Sequence, residues 1–249
     1  MLDVSEIFGP TIQGEGKRLG HPSIFIRFSR CNMSCEGFDV RYTTLNGDLK
    51  KSCDTFYAVD PCFKEQWKKQ NFKDIIKEVS KLLPDYKIDI VITGGEPLLY
   101  WNNEEFQKLL KYYIIHKHNV TIETNASLDI DFREEYQKKI LFSMSVKLSN
   151  SLEKYKKRVN ISTIKKILSN TTASYFKFVI DYNSINKLEN EIKDILLNIK
   201  DPEVYLMPMA KDNQELEQNS KKIIDIAIKN GFYYSDRLHI RVWDNKRGV

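Results

Sequence analysis

No stretch of this chain is apolar over the roughly 20 consecutive residues that a membrane-spanning helix requires, so it is not expected to enter a bilayer. The opening Met1-Leu2-Asp3-Val4-Ser5-Glu6 lacks a basic leader followed by an apolar run, which makes the cytoplasm the expected compartment. Internal repeats and low-complexity tracts are missing as well. No basic stripe interleaved with aromatics occurs. The formal charge is only +5, and its lysines are scattered, as at Lys165-Lys166 and Lys221-Lys222, so no nucleic-acid contact is expected. Cysteine is scarce: there are four, all between positions 31 and 62. In a reducing compartment such thiols are metal ligands or catalysts more often than disulfide partners.

What remains is an ordinary globular composition at 249 residues, the upper end of a single domain and enough for one sizeable core or an α/β barrel. One domain over residues 1–249 is expected. Runs of β-branched and aromatic residues at 23–28, 88–92, 119–123, 140–144, 175–180, 204–207 and 239–242 read as strands. Segments of helical period lie between them at 72–83, 103–117, 184–199 and 214–230, the last stopped by Gly231. Alternation of this kind implies parallel strands with crossover helices, here an incomplete barrel of about six strands. Ligand sites of such barrels follow the carboxyl ends of the strands. The conspicuous motifs sit at those places, while residues 36–70, with few apolar repeats, read as a long loop.

Cys31-Asn32-Met33-Ser34-Cys35 has C-x3-C spacing, and Cys53 opens a Cys-Asp-Thr step some forty residues before Thr93-Gly94-Gly95-Glu96-Pro97. Thiolates beside a glycine turn, where main chain can approach a ligand closely, suggest an iron–sulfur centre that holds an organic cofactor. Three thiolates leave one iron of a four-iron cluster open. Zinc is the rival reading, although it usually takes two tight C-x2-C pairs or histidine partners. Glu123 and Thr124 end a strand that should be apolar, which favours a ligand contact there.

The blocks Phe8-Gly9-Pro10-Thr11-Ile12-Gln13-Gly14-Glu15-Gly16, Ile24-Phe25-Ile26-Arg27 leading into Cys31-Asn32, Thr93 to Pro97, and Glu123-Thr124-Asn125 occur in this order. Together they resemble the 7-carboxy-7-deazaguanine synthases of the radical S-adenosylmethionine superfamily, with landmarks along nearly the whole chain. The resemblance implies the partial TIM-type barrel of that superfamily, a [4Fe-4S] cluster, S-adenosylmethionine and Mg2+. It also implies conversion of 6-carboxy-5,6,7,8-tetrahydropterin to 7-carboxy-7-deazaguanine with loss of ammonia, on the route to queuosine and other 7-deazapurines. A homodimer and an electron donor such as a flavodoxin are implied as partners.

One departure stands out. The superfamily pattern C-x3-C-x2-C would place a cysteine at position 38, where this chain has Phe38. The 17 residues from Glu36 to Ser52 stand where the pattern has two, so Cys53 becomes the third ligand, in an extended cluster-binding loop over about 30–62. A loop can lengthen at about 0.6 kcal/mol per doubling. Cys62 is the competitor for that ligand place. By the same resemblance the cluster is held by Cys31, Cys35 and Cys53, and magnesium by Thr55. The cofactor meets Gly94, Gly95, Glu96, Glu123, Ser145 and Lys147, where Ser145-Val146-Lys147 replaces a Ser-Pro-Lys step. The substrate meets Ile12, Gln13, Gly14, Glu15, Gly16, Arg27, Thr93 and Val249. Its planar donor–acceptor edge calls for a carboxylate or amide and its acid group for a cation, which Gln13, Glu15 and Arg27 supply. The family's histidine near the terminus has no clear counterpart, since Trp243 takes its place and His239 reads as a strand residue.

Two other functions fit parts of this pattern. An activase for a glycyl-radical partner would share the cluster and the Gly-Gly-Glu turn but has no use for Gln13-Gly14-Glu15-Gly16 with Arg27. A non-catalytic zinc-stabilised interaction protein would use all four cysteines.

Overall fold

The computed structural model describes residues 1–244, 246 and 248. In chain order its elements are β1 (Leu2–Ile12), β2 (Pro22–Phe28), β3 (Val40–Thr43), β4 (Leu49–Ser52), α1 (Phe56–Val59), β5 (Lys68–Gln70), α2 (Phe72–Ser80) and β6 (Asp89–Gly94). There follow α3 (Glu104–Ile115), β7 (Val120–Thr124), β8 (Leu141–Met144), α4 (Tyr155–Arg158), α5 (Ile161–Asn170), β9 (Tyr175–Ile180) and α6 (Ile185–Leu196). The last are β10 (Val204–Pro208), α7 (Asn213–Asn230), β11 (Tyr233–Tyr234) and α8 (Leu238–Trp243).

One sheet runs β11-β10-β9-β8-β7-β6-β2-β1-β5. Every neighbouring pair from β2 to β11 is parallel, whereas β1 and β5 add an antiparallel extension beside β2. Among the described residues β11 and β5 end the sheet without pairing to each other, so the barrel is open. The expected incomplete barrel is thus present, with six parallel strands of four residues or more and the two-residue β11 at its edge.

Alternation along the strands explains both faces. Ile24, Ile26, Phe28, Ile90, Ile92, Ile122, Phe142, Met144, Phe176 and Phe178 share one core cluster with Ile75 and Val79 of α2 and Phe106, Leu109 and Leu110 of α3. The residues between them on each strand must face the other way, into the barrel. The helices start where caps dictate. Asn71 accepts from the main chain of Lys73 and Asp74 ahead of α2, and Asp212 accepts from Glu215 ahead of α7. Gly231 ends α7 in the left-handed region.

Three expectations are corrected. His239–Val242 is part of the helix α8, not a strand, because four residues cannot separate a period of 2 from one of 3.6. Ile240 packs with Ala210 and Leu216, and that contact decides the matter. Second, α5 and β1 lie in stretches not read as elements. Third, the segment read as a loop over 36–70 contains the hairpin β3–β4, α1 and β5. Asn46-Gly47, with Gly47 at a φ of 89°, is its turn, and the hairpin carries a small core of its own. There Tyr42 stacks on Phe56 at 4.3 Å beside Tyr57, Ala58 and Phe63.

No helix among the described residues is long and apolar enough to cross a membrane.

Candidate functional site

Cys31 and Cys35 lie on the loop that leaves β2, and Cys53 is delivered to them by the end of β4. Ser52 Oγ donates to the carbonyl of Ser34 at 2.7 Å, which seams the returning hairpin onto the Cys31–Cys35 loop. Glu153 Oε1 accepts from the amides of Ser34 at 2.6 Å and Cys35 at 3.2 Å, and Cys35 takes a left-handed φ of 50°. Burial pushes the Cys35 thiol up to about 12 and that of Cys31 higher still, and the neighbouring cysteines, Cys53 included, add to both. Thiols so placed give up their protons to a metal rather than to water. Among the described residues no three His, Cys, Asp or Glu side chains converge on the space of a single metal ion. A cluster takes one sulfur per iron, whereas zinc gathers four ligands about one centre. Cys62 packs instead against the Tyr42 and Phe63 core, its amide donating to Asp60 Oδ1 at 2.9 Å. Thr55 precedes α1, with Oγ1 3.3 Å from Cys53 Sγ.

The turn after β6 lies directly against this loop. Gly95 donates to the carbonyl of Phe28 at 3.1 Å and Glu96 to that of Arg30 at 2.8 Å. A Cβ on Gly94, whose φ is 134°, would sit 2.0 Å from the Phe28 carbonyl oxygen, and one on Gly95 would sit 1.9 Å from that of Arg30. Both glycines are thus required by backbone contact between the ends of β2 and β6. Glu96 is fully buried, and its carboxylate accepts from Thr124 Oγ1 at 2.6 Å and the amides of Asn125 at 2.7 Å and Leu98 at 3.0 Å. Burial raises its proton affinity. It shapes the turn from within, binding the end of β6 to that of β7. Asn125 in turn donates to Asn32 Oδ1 at 2.9 Å, next to Cys31. Ser145 and Lys147, on the loop after β8, contact each other at 2.9 Å, and the Lys147 ammonium lies 5.7 Å from the Phe38 ring centroid.

Below the cluster loop a row of polar residues crosses the inner face of the sheet. Pairing sets Glu6 opposite Arg27, Arg27 opposite Thr93, Glu123 opposite Ser143 and Ser143 opposite Tyr175. Thr93 Oγ1 donates to Glu123 Oε2 at 2.8 Å, closing the step between β6 and β7. Arg27 Nε donates to Glu6 Oε1 at 2.7 Å, an oxygen shared with the Tyr57 hydroxyl at 2.8 Å. The segment beyond Ile12, where β1 ends, folds over this row. Gln13 donates to Glu123 Oε1 at 3.3 Å and accepts from the amide of Glu15 at 3.1 Å, and the amide of Gly16 donates to Ser235 Oγ at 2.8 Å.

Among the described residues, Lys177 and Arg237, which the sequence did not single out, and His239, read there as a strand residue, surround Glu15. Lys177 Nζ is 2.6 Å from Glu15 Oε2 and 3.7 Å from Glu123 Oε1, Arg237 Nε is 3.3 Å from Glu15 Oε1, and His239 Nε2 is 3.9 Å from the same oxygen. Burial alone would raise the proton affinity of Glu15, but Lys177, Arg237 and His239 outweigh it and hold the carboxyl well below its ordinary range. The Lys177 ammonium, which burial would discharge, is held charged by Glu123 and Glu15. Burial pulls the His239 imidazole down. A Cβ on Gly14 would meet His239 Nδ1 at 2.3 Å, so the glycine lets α8 close over the β1 end. A signal for Lys177 was available: a lysine in the middle of the apolar strand Tyr175-Phe176-Lys177-Phe178-Val179-Ile180 has to face a polar interior. Val249 lies outside the described residues.

Residues 12–168 match the 4Fe-4S single cluster domain family. A 7-carboxy-7-deazaguanine synthase from Rhodopirellula baltica is 31% identical over all of this chain and 89% of that protein. One from Halobacterium salinarum is 27% identical over 98% of this chain and 91% of its own. The crystal structure of QueE from Escherichia coli superposes with a TM-score of 0.63 at 18% identity, over 96% of this chain and 94% of that one, which establishes the shared fold. A thiol triad above a polar barrel interior, a matching iron–sulfur domain and full-length similarity converge on one assignment: the chain belongs to the 7-carboxy-7-deazaguanine synthase family.

Proposed function

We propose that this protein converts 6-carboxy-5,6,7,8-tetrahydropterin to 7-carboxy-7-deazaguanine and ammonia. The observation that carries the reading is the stacking of the Cys31, Cys35 and Cys53 loop over the row from Arg27 to Glu123, joined by the glycine turn and by Asn125. Cys31, Cys35 and Cys53 would hold the cluster, which with S-adenosylmethionine bound would supply one-electron radical chemistry to the substrate site. Gly94, Gly95, Ser145, Lys147 and Glu123 bind the cofactor, with Glu96 fixing the turn.

Gln13 and Glu15 receive the donor edge of the pterin. Arg27 receives its carboxylate, for which the guanidinium has hydrogens beyond the one given to Glu6. Thr93 orients Glu123, while Ile12, Gly14 and Gly16 shape the covering segment. Thr55 contributes one hydroxyl to Mg2+, which otherwise keeps waters and substrate oxygens. The terminal Val249 completes the substrate site. We place all of this in one domain over 1–249 with the cluster loop at 30–62, working in the cytoplasm as a homodimer fed by a flavodoxin-like donor.

Oxygen-free purification followed by assay tests the reading. A brown protein with iron, sulfide and turnover of the free pterin is expected. An intact reduced cluster without any turnover would instead favour an activase of a glycyl-radical partner. A colourless protein with stoichiometric zinc would favour the interaction protein.

A further inference from the structure

Lys177 is a lysine with only 4% of its surface exposed, in β9, a strand paired in parallel on both sides. Its ion-pair partners are two carboxylates, Glu15 of the segment after β1 at 2.6 Å and Glu123 of β7 at 3.7 Å. We propose that Lys177 is a positioning residue that keeps Glu15 a pure hydrogen-bond acceptor. Through it the site selects a pterin by the N–H donors of its 2-amino edge and rejects the 2-oxo analogue. This rests on the reading of Glu15 given above.

The chemistry runs through hydrogen-bond polarity. An ionised carboxylate accepts only, and it matches two adjacent donors such as a ring N–H and an exocyclic amine. A protonated carboxyl also donates and could face a carbonyl in their place. Burial alone would favour that protonated form. The groups that oppose it are Lys177 from β9 and Arg237 and His239 from the chain around the start of α8. Glu123 and the Tyr175 phenol face Lys177 from the far side, and Asp54 faces Arg237.

Of these three groups, Arg237 divides its guanidinium among Glu15, Asp54 and the carbonyl of Ala210, and His239 is the most distant at 3.9 Å. Lys177 therefore makes the shortest contact and the only one shared with the second carboxylate. Gln13 cannot compensate for a wrong edge. Its amide is fixed at both ends, donating to Glu123 and accepting from the Glu15 main chain. A site whose buried polar groups are left facing like polarity discriminates by large factors.

The test is kcat/KM against pH for the cluster-loaded wild type, Lys177→Met and Lys177→Arg, on 6-carboxytetrahydropterin and on its 2-oxo analogue. The wild type should prefer the 2-amino substrate by about a thousandfold or more. In Lys177→Met the loss should fall mainly on KM. The acid limb should move up by about 1–2 pH units, and the preference measured at a pH on that limb should shrink at least tenfold, on the order expected when an adjacent cation is removed. Lys177→Arg should return both toward wild type. A Lys177→Met protein with wild-type iron content, acid limb and preference would overturn the proposal.

Should that variant not fold, Glu15→Gln and the double variant K177M/E15Q are compared, the latter losing both charges together. Equal preference and equal pH profile in the two support action through Glu15, and a further tenfold loss in the double variant refutes it. A wild type that loads its cluster and never turns over the pterin removes the underlying assignment and this proposal with it, a result distinct from any of the variant outcomes.

Discussion

Arg237 Nη2 donates to Asp54 Oδ2 at 3.1 Å, tying the segment ahead of α8 to the residue that follows Cys53. The same guanidinium reaches Glu15 through Nε at 3.3 Å. One side chain thus spans from the cluster loop to the substrate segment; its contact with Glu15 is shielded from water on both sides, whereas Asp54 is 64% exposed and that contact is screened.

Replacement of Arg237 by alanine is expected to leave iron and sulfide content unchanged and to lower kcat/KM by about 10–100-fold, the scale of one charged hydrogen bond of about 1.5–3 kcal/mol. Lysine at this position should recover only part, since it lacks the planar fork that serves three acceptors. Unchanged kcat/KM in the alanine variant would show that the tie has no part in turnover.

Cys53→Ala should lose most of its iron after anaerobic reconstitution, whereas Cys62→Ala should keep wild-type iron and the reductive cleavage of S-adenosylmethionine. The reason is position: Cys53 adds to the proton affinity of Cys31 and Cys35, while Cys62 belongs to the hairpin core. Iron lost only in the Cys62 variant would reassign the third ligand.

Glu15 also stabilises the fold in a pH-dependent way. Its folded carboxyl lies below the ordinary value of 4.5, so its contribution is present above that value and is lost as pH falls through the folded one. Glu15→Gln should cost on the order of 2 kcal/mol at pH 7, because it leaves Lys177 with Glu123 alone, or a fall of about 4–8 °C in Tm. The gap to wild type should narrow below pH 4.5; a gap that stays constant down to pH 3.5 would argue against an ion-pair origin.

Gly94→Ala should destabilise by about 3 kcal/mol or more, since a positive φ and a backbone clash act together. The added methyl would lie 2.0 Å from a carbonyl oxygen that cannot swing aside. Soluble yield and Tm report it, and a Tm within a degree or two of wild type would mean that the β2 and β6 ends are not packed as described.

Much of the barrel was legible because its signals are local. The strands at 23–28, 88–92 and 175–180 are runs of β-branched and aromatic residues broken by few polar ones, such as Arg27 and Lys177, and the intervening helices show a single apolar stripe. The edge regions were not. The strand β1 buries only Leu2 and Val4, and the hairpin β3–β4 takes its order from Tyr42 stacking on Phe56, a contact between residues too far apart for any window to relate. The short α8 looked like a strand because Ile240 finds its apolar partners only in Ala210 and Leu216.

The candidate site divides in the same way. Cysteine spacing, the glycine turn and the Gln13-Gly14-Glu15-Gly16 block are covalent facts, and the sequence by itself determined that thiolates, a tight turn and a carboxylate would be available after particular strands. Which of Cys53 and Cys62 turns toward Cys31 depended on the path of the hairpin. Which cations surround Glu15 depended on the sheet closing far enough to bring Lys177 and Arg237, 162 and 222 residues away in sequence, within 3.3 Å of it. Charge pairing across such distances follows from the register of packed strands, and register is fixed only when the whole core condenses.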